Sequence, residues 1–545
     1  MPLDLITCPY KPLVHVLIVA IVVRLIAANS NRHQTVLIFL VFVRLFGFAM
    51  AAFVIDASTA LIAVLVFLVI LYFFRKPTNL PPGPWGLPIL GCLPSLAYYV
   101  YRTGCKEPFR LFDYIAKDYG NVFSMHLATK LVVVVNDYES VREAFRNPLL
   151  NDRPKMAIIP ASETGVLLAC GHTWNRQRRF TLSTFRDFGI GKSRFQDQIS
   201  TETEHVIKEF AKYQSNPIDP HRILTIAISN VICAVVFGKR FEYTDSKFQE
   251  LLLHLDAQFE ASASGGFLLF VPFLAHFLPA FKRTTKQTNE HLVRFAKEIV
   301  KEHRKNFDSD HFKDYIDVFL NEMNVSTTST KENVSGIVSL TDDNLIHSVL
   351  QLFVAGSETT VTTLRWCFLY MIAYPDIQSR VQDEIDSVIG RNSLPRVGDK
   401  LPFTEATIME VQRIASIVPL GVPHAAAADT TLRGYFIPKG TMIMSNLWAI
   451  HHNQDTWNEP EEFKPERFLD SNGDLCHKNE YAPFSIGRRV CLGENLAKME
   501  LFVYFTHLLH QFSFKKPEES PPITFESTLG ATNAPLPFEL IVTKR

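Results

Sequence analysis

The sequence predicts a mainly α-helical fold with a small β-rich part and an N-terminal membrane anchor. Helical patterning runs without a break from Thr341 to Tyr374, and most segments beyond residue 137 have the same character. A run of β-branched residues at 131–135, followed by Asn136 and Asp137, predicts a short buried strand. Long apolar stretches before residue 76 predict the anchor.

The anchor is predicted within residues 1–76. Residues 57–74 carry no charge and, at helical rise, would span about 27 Å, close to the roughly 30 Å thickness of a bilayer core. Residues 13–28 and 36–55 are also apolar, but each is interrupted by an arginine, so spanning and non-spanning alternatives stay open for both. Arg75 and Lys76 follow the third segment and favour a cytosolic position for the rest of the chain.

Three parts of the chain follow from these patterns. After the anchor, prolines at 81, 82, 84 and 88 predict a stiff, non-helical hinge over residues 77–91. Residues 92–545 are then predicted to form one large domain.

The composition narrows the class of protein. The 545 residues are 47% hydrophobic and 20% charged, with a formal net charge of zero, which argues against a nucleic-acid partner. The eight cysteines form no Cys-x-x-Cys pair, which argues against a zinc site and against c-type haem attachment. Scattered cysteines in a long chain suit a reducing compartment.

Cys491 lies in the sequence FSIGRRVCLG at residues 484–493, just before an apolar-patterned helix. A helix N-terminus stabilises a thiolate, so we expect a lowered pKa and a metal-ligating sulfur. Gly487 and Gly493 would let the backbone pass close to a flat cofactor, and Arg489 would meet a carboxylate on its rim. Considered alone, Cys491 could equally be a buried, inert thiol.

The long helix that begins after Thr341 contains AGSETT at residues 355–360. Small and β-branched residues have weak helical propensity, and their hydroxyls compete for backbone carbonyls, so a local groove is expected. The Thr359 hydroxyl beside the Glu358 carboxylate could organise a proton relay. An ordinary distorted helix is the alternative.

Three further patterns place charged groups together. Trp174 and Arg178 are four residues apart and share a helix face, so both can reach one target. Glu410 and Arg413 are three residues apart on another helix, and Arg467 follows in the sequence PERF. His424 follows a proline and, on chemistry alone, could equally be an ordinary loop histidine.

These motifs, in this order, resemble those of the cytochrome P-450 superfamily of haem-thiolate monooxygenases. Residues 484–493 match its cysteine-ligand loop, 355–360 its oxygen-binding helix, 174–178 its Trp-x-x-x-Arg, 410–413 its Glu-x-x-Arg and 465–468 its Pro-Glu-Arg-Phe. The resemblance extends from about residue 81 to 545 and is nearest to the animal microsomal family two, near subfamily U. It implies the cytochrome P-450 fold.

The resemblance also implies a buried network of Glu410, Arg413 and Arg467 that braces the cysteine loop, and roles for other individual residues. Cys491 would ligate the iron of haem b, iron protoporphyrin IX. Thr359 would hydrogen-bond oxygen, and Glu358 would relay protons from solvent. The implied cofactor-binding residues are Trp174, Arg178, Gly356, His424, Phe484, Arg489, Cys491 and Gly493. Some relatives carry a basic residue where Thr164 stands, so one propionate contact is expected to be missing.

The implied reaction inserts one atom of O2 into a lipophilic fatty acid, steroid or xenobiotic. Electrons from NADPH would arrive through NADPH-cytochrome reductase, with cytochrome b-five as a further partner, at the endoplasmic reticulum membrane with the catalytic domain facing the cytosol. A basic cluster could dock the reductase; it comprises Arg176, Arg179, Arg186, Lys192 and Arg194. A haem-thiolate isomerase or dehydratase, or a non-catalytic haem-binding carrier or sensor, remain alternatives.

Overall fold

The computed structural model describes residues 61, 63–65, 79–87, 90–155, 164–213, 216–265, 279–328 and 340–545. The chain divides into two units, Met1–Lys76 and Pro77–Arg545, and the fold described below is that of the second. Among the described residues, no helix is both long and apolar enough to cross a bilayer. The predicted spans at 13–28 and 36–55, and nearly all of 57–74, lie outside the described residues.

Helices form most of the second unit. They are α1 (Leu93–Thr103), α2 (Pro108–Tyr119), α3 (Tyr138–Arg146), α4 (Gly165–Leu168), α5 (Gly171–Asp187), α6 (Ser193–Ala211), α7 (His221–Phe237), α8 (Ser246–Gly265), α9 (Pro279–Lys305), α10 (Tyr315–Thr328), α11 (Asp342–Ala373), α12 (Pro375–Ile389), α13 (Pro402–Ala415), α14 (Leu447–His451) and α15 (Glu494–Gln511).

The strands are short. They are β1 (Val122–Leu127), β2 (Lys130–Val135), β3 (Pro217–Ile218), β4 (His424–Ala425), β5 (Thr430–Leu432), β6 (Tyr435–Ile437), β7 (Met442–Ser445), β8 (Phe512–Lys515), β9 (Ser527–Leu529), β10 (Asn533–Pro535) and β11 (Leu540–Lys544). The largest described sheet has the order β1-β2-β7-β4, in which only the β2–β7 pair is parallel. The strand predicted at 131–135 is confirmed as part of β2. Mostly helical secondary structure with small sheets confirms the mainly α-helical part of the predicted fold class, and the predicted N-terminal anchor stays a prediction.

Helix α11 runs through the core and is buried on most of its surface. The Thr341 side chain accepts a hydrogen bond from the backbone N–H of Asn344 at 3.2 Å, which caps the first turn as the sequence predicted. Tyr374 caps the other end, immediately before Pro375. The helix packs against α7, α9, α13 and α15.

Helix α15 begins directly after the Cys491 loop and also packs against α11. The two helices are joined in the core by a hydrogen bond from the Thr360 hydroxyl to the Glu500 carboxyl, 3.2 Å long. This packing brings the cysteine loop and the central part of α11 into the same region of the fold.

Candidate active site

The loop before Cys491 is a tight turn closed by its own backbone. The N–H of Cys491 donates to the carbonyl of Phe484 at 3.0 Å. Gly487 has a φ of +83°, and a Cβ atom there would lie 2.6 Å from the Phe145 carbonyl oxygen. Only glycine fits both the backbone angle and this close approach, so this position of the loop requires glycine.

Solvent reaches the Cys491 side chain, although protein atoms surround it closely. Burial raises the pKa of the thiol, and it outweighs the opposing effects of the Gly493 N–H bond and the Arg178 charge. The expected lowering of the pKa by the helix terminus is therefore wrong for the metal-free protein. An accessible sulfur within a close protein environment lies in a recess, where binding of a metal ion would itself remove the thiol proton.

Gly493 and Phe484 frame this recess. Gly493 is the N-cap of α15, and no atom lies within 4 Å of the place where its Cβ would stand. Phe484 is half-buried, with the Lys498 ammonium 5.5 Å from its ring centroid. The open space beside Gly493 allows a flat group to approach the backbone.

Trp174, Arg178 and Arg489 meet beside the cysteine loop. The Arg489 guanidinium lies over the Trp174 ring, 4.2 Å from its centroid. Arg178 donates to the Val490 carbonyl at 2.7 Å. Arg489 donates to the carbonyls of Asn151, Leu167 and Ala169 at 2.5, 3.0 and 2.6 Å. Burial lowers the pKa of Arg489 to about 10, so this guanidinium is still charged at neutral pH.

Arg153 is a buried cation that the sequence analysis missed. It is 7% exposed and donates to the carbonyls of Leu167, Val422 and Pro423. Burial and the charges of Arg489 and Arg178 lower its pKa. Some relatives carry a basic residue at the position that Thr164 occupies in this chain. Here Arg153 places a guanidinium in this part of the site. No motif pointed to it, because its partners are up to 270 residues away.

In the described part of the chain, none of these guanidinium groups forms an ion pair. Arg153, Arg178 and Arg489 all donate to backbone carbonyls, and the first two lie close enough to the third for their charges to interact. Buried cations without a counter-ion are costly. The cluster therefore suits a ligand that carries carboxylates.

His424 lies at the edge of the cluster and is 3% exposed. Its ring stacks on Phe145 with centroids 3.9 Å apart, and Nδ1 donates to the Leu150 carbonyl at 3.0 Å. Burial and the Arg153 and Arg489 charges hold its pKa well below the usual range, so the ring is neutral. Nε2 then carries no proton and can only accept a hydrogen bond. It becomes a donor when a nearby anion favours protonation of the ring.

The predicted contact among Glu410, Arg413 and Arg467 is confirmed. Glu410 and Arg413 are fully buried and share two hydrogen bonds of 2.7 and 2.8 Å, and Arg467 donates to Glu410 at 3.0 Å. Arg413 also donates to the carbonyl of His451, whose Nε2 accepts from the Ala482 N–H at 3.0 Å. The network is thus linked to the chain just before the cysteine loop.

On α11, the exposed Ala355 and half-buried Thr359 open to accessible space, while the helix around them is largely buried. The Thr359 hydroxyl donates to the Ala355 carbonyl at 2.8 Å. At Gly356 a Cβ atom would lie 2.6 Å from Cδ1 of Ile232 on α7, so the missing side chain permits close packing of the two helices. The expected contact of Gly356 with the cofactor stays a prediction.

Glu358 is 8% exposed and accepts hydrogen bonds from the Thr362 and Thr532 hydroxyls, each at 3.0 Å. Burial is the largest influence on its carboxyl and raises the pKa; Asp256 adds to the increase, and the two hydroxyls and Arg365 oppose it. The carboxyl is therefore poised to hold a proton closer to neutral pH than an exposed glutamate would. No direct hydrogen bond joins Glu358 and Thr359 in this described helix, consistent with adjacent helical residues facing different ways.

The chain matches the cytochrome P450 family over residues 81–542 and belongs to that family. It is accordingly a haem-dependent monooxygenase. Cytochrome P450 2U1 of Homo sapiens is 38% identical over 498 residues, which cover 86% of this chain and 90% of the relative. Cytochrome P450 2J3 of Rattus norvegicus is 39% identical over 495 residues, covering 89% and 96%. Because the 2U and 2J relatives match about equally well, the placement near subfamily U stays a prediction.

Haem fits the residues at this site. A sulfur in a recess, open space beside Gly493 and a buried guanidinium cluster without counter-ions match an iron with a flat macrocycle and two carboxylates.

Proposed function

We propose that this cytochrome P450 inserts one atom of O2 into a lipophilic fatty acid, steroid or xenobiotic, with electrons from NADPH. The cofactor is haem b, and the electron donors are NADPH-cytochrome reductase and cytochrome b-five. In this proposal residues 1–76 hold the enzyme in the endoplasmic reticulum membrane with its catalytic domain facing the cytosol.

The observation that carries the proposal is the pair formed by accessible Thr359 and buried Glu358 on α11. Bound haem supplies the redox chemistry that cleaves O2 and oxidises a C–H bond, while the protein supplies the ligand, the orientation and the protons. The Thr359 hydroxyl can turn from the Ala355 carbonyl towards the recess and donate there. The raised pKa of Glu358 lets it hold the next proton, which a bridging water would carry to Thr359.

The remaining site residues would orient the cofactor. In this proposal Cys491 ligates the iron, and Trp174, Arg178, His424 and Arg489 face the propionates. We add Arg153 to this set because it belongs to the same unpaired cationic cluster.

Electron delivery would use the exposed face of α5. Arg179 and Arg186 are exposed; Arg186 donates to the Ser183 hydroxyl at 3.1 Å and lies 3.9 Å from the surface residue Asp187. Arg176 is less available because it pairs with Glu322 at 3.2 Å. Since Arg178 on the same helix contacts the cysteine loop, an acidic donor bound to this face would lie on the cysteine side of the fold.

The proposal is tested with the full chain in detergent or nanodiscs. We expect a thiolate-type Soret band for the reduced, CO-bound protein, and NADPH consumption coupled to product only when reductase is present. An isomerase or dehydratase would convert a peroxide without reductase, and a carrier or sensor would bind ligands without consuming NADPH. Fatty acids, steroids and aromatic xenobiotics would be screened by displacement of the water ligand from the iron.

The proton relay has its own test. Glu358→Gln keeps the size of the side chain but cannot release a proton, so we expect product formation per NADPH to fall roughly 100-fold. The CO spectrum should be unchanged, because the cysteine loop is untouched. Full coupling in this variant would refute the relay.

A further inference from the structure

Two histidines and a glutamate meet on the surface where α8 packs against α9. Glu250 and His254 are four residues apart on α8, and His291 projects from α9. One potential ligand atom from each residue lies within 4.8 Å of the other two. The imidazole rings of His254 and His291 stack with centroids 4.1 Å apart and an angle of 26° between their planes.

We propose that Glu250, His254 and His291 bind a divalent transition-metal ion, with Zn²⁺ as its representative, and that the ion links α8 to α9. Two imidazoles and one carboxylate form a common protein donor set for Zn²⁺, with water completing a tetrahedron. The haem site and the proposed monooxygenase reaction use none of these residues.

The geometry requires only a small closure. Ligand atoms around tetrahedral Zn²⁺, at bonds of about 2.0–2.1 Å, are roughly 3.4 Å apart. His254 Nε2 is 4.0 Å from the nearer Glu250 oxygen. The Glu250 side chain is 63% exposed and that of His254 is 28% exposed, so side-chain rotation can shorten these distances without moving the helices.

The backbone beneath the cluster is well supported. Leu251 and Leu255 of α8, and Leu292 of α9, are buried in the main hydrophobic core. The helix positions from which the three ligands project are therefore set before an ion arrives, and the ordering cost of binding is confined to the side chains.

The charge state also suits a metal ion. Burial lowers the pKa of His254, and a charge on neighbouring His291 would lower it further, whereas Glu250 opposes this change. A neutral imidazole is the form that coordinates a metal. Among the described residues, His254 and His291 have no hydrogen-bond partner that fixes their ring nitrogens, apart from the long approach to Glu250.

A second group of possible metal ligands consists of His303, Asp314 and Asp317, but its side chains bind each other and the backbone. His303 Nδ1 donates to the Ile299 carbonyl, and Nε2 contacts Asp314, both at 2.8 Å. Asp314 and Asp317 accept from backbone N–H groups at 3.0 and 3.1 Å. These ligand atoms already have partners inside the protein, so this group is not proposed to bind metal.

The test uses haem-loaded full chain, titrated calorimetrically with Zn²⁺ in a buffer free of chelators. We expect one ion per chain at this site, and at least about a 10-fold loss of affinity in His254→Ala and in His291→Ala. His311→Ala is the matched control, because this 80% exposed histidine lies 3.4 Å from Asp308 and outside the proposed cluster. Its Zn²⁺ affinity should equal that of the unchanged protein.

Two further readouts separate binding from damage to the fold. The haem spectrum and the metal-free melting temperature of each variant should match those of the unchanged protein. Zn²⁺ should raise the melting temperature and slow amide exchange in α8 and α9 of the unchanged protein, but not of the two variants. Zn²⁺ affinity should also fall as the pH is lowered, because protons compete with the ion for the imidazole nitrogens. Unchanged Zn²⁺ affinity in both variants, or no binding by the unchanged protein at millimolar Zn²⁺, would overturn the proposal.

Discussion

Glu500 is a buried carboxyl that makes the stability of the fold depend on pH. It is 1% exposed and accepts one hydrogen bond, from Thr360 at 3.2 Å; in the described structure its second oxygen has no partner. Burial raises its pKa from 4.5 to about 8, and the Thr360 bond opposes this only in part. The folded protein therefore keeps this carboxyl protonated at neutral pH.

The direction of the effect follows from proton binding in the two states. Below about pH 4.5 both states hold the proton, and the raised pKa has no cost. Between 4.5 and about 8 the unfolded chain releases the proton and the folded one retains it, so stability falls by about 1.4 kcal/mol per pH unit. The difference of about 3.5 units corresponds to roughly 5 kcal/mol at and above pH 8.

Glu500→Gln preserves the shape and the Thr360 contact but does not titrate. We expect its free energy of unfolding to match that of the unchanged protein near pH 4.5 and to exceed it progressively, by up to roughly 5 kcal/mol, near pH 8. Urea unfolding of the haem-loaded proteins across this range measures the difference, from which the other titrating groups cancel. A difference independent of pH, or one that grows towards acid, would refute the reasoning.

Three other predictions concern the network, the cationic cluster and the basic face. Glu410→Ala leaves the Arg413 and Arg467 guanidinium groups without their buried carboxylate, so it should lower the free energy of unfolding in urea by about 3–5 kcal/mol. The control Glu466→Ala removes a half-exposed ion pair and should lower it by about 1 kcal/mol or less. Arg153→Met should speed haem loss to apomyoglobin about 10-fold, and an unchanged rate would remove Arg153 from the cofactor site. Arg179→Glu combined with Arg186→Glu should slow reductase-dependent turnover about 10-fold at low salt and much less at high salt; equal rates at low salt would exclude this docking face.

The sequence predicted the parts of the site whose determinants are local. The cysteine loop is specified by glycines at fixed offsets, and the Thr341 cap together with Pro375 bounds α11. The Glu410–Arg413 pair is set by helical periodicity, and its completion by Arg467 came from the family resemblance. Each of these features depends on short-range geometry or on a motif whose order is visible in the chain.

Other features could not be predicted from the sequence, because they depend on which residues pack around a position in the folded chain. No sequence pattern indicated that Gly356 packs against Ile232, which is 124 positions earlier in the chain. His451 connects the Glu410 network to the segment before the cysteine loop, yet no motif contains it. The spacing of a motif places a residue at a given position along a helix. Which other element that residue contacts depends on how the helices pack.

The sequence by itself indicated the family, the long central helix and the charged motifs, and it predicted Cys491 as the iron ligand, because these follow from residue order and local backbone geometry. Only the tertiary structure decided the protonation of Cys491 and Glu500, the place of Arg153 in the cationic cluster and the meeting of His254 with His291. The physical reason is that burial and long-range electrostatics depend on every element packed around a group, and a linear pattern carries no measure of either.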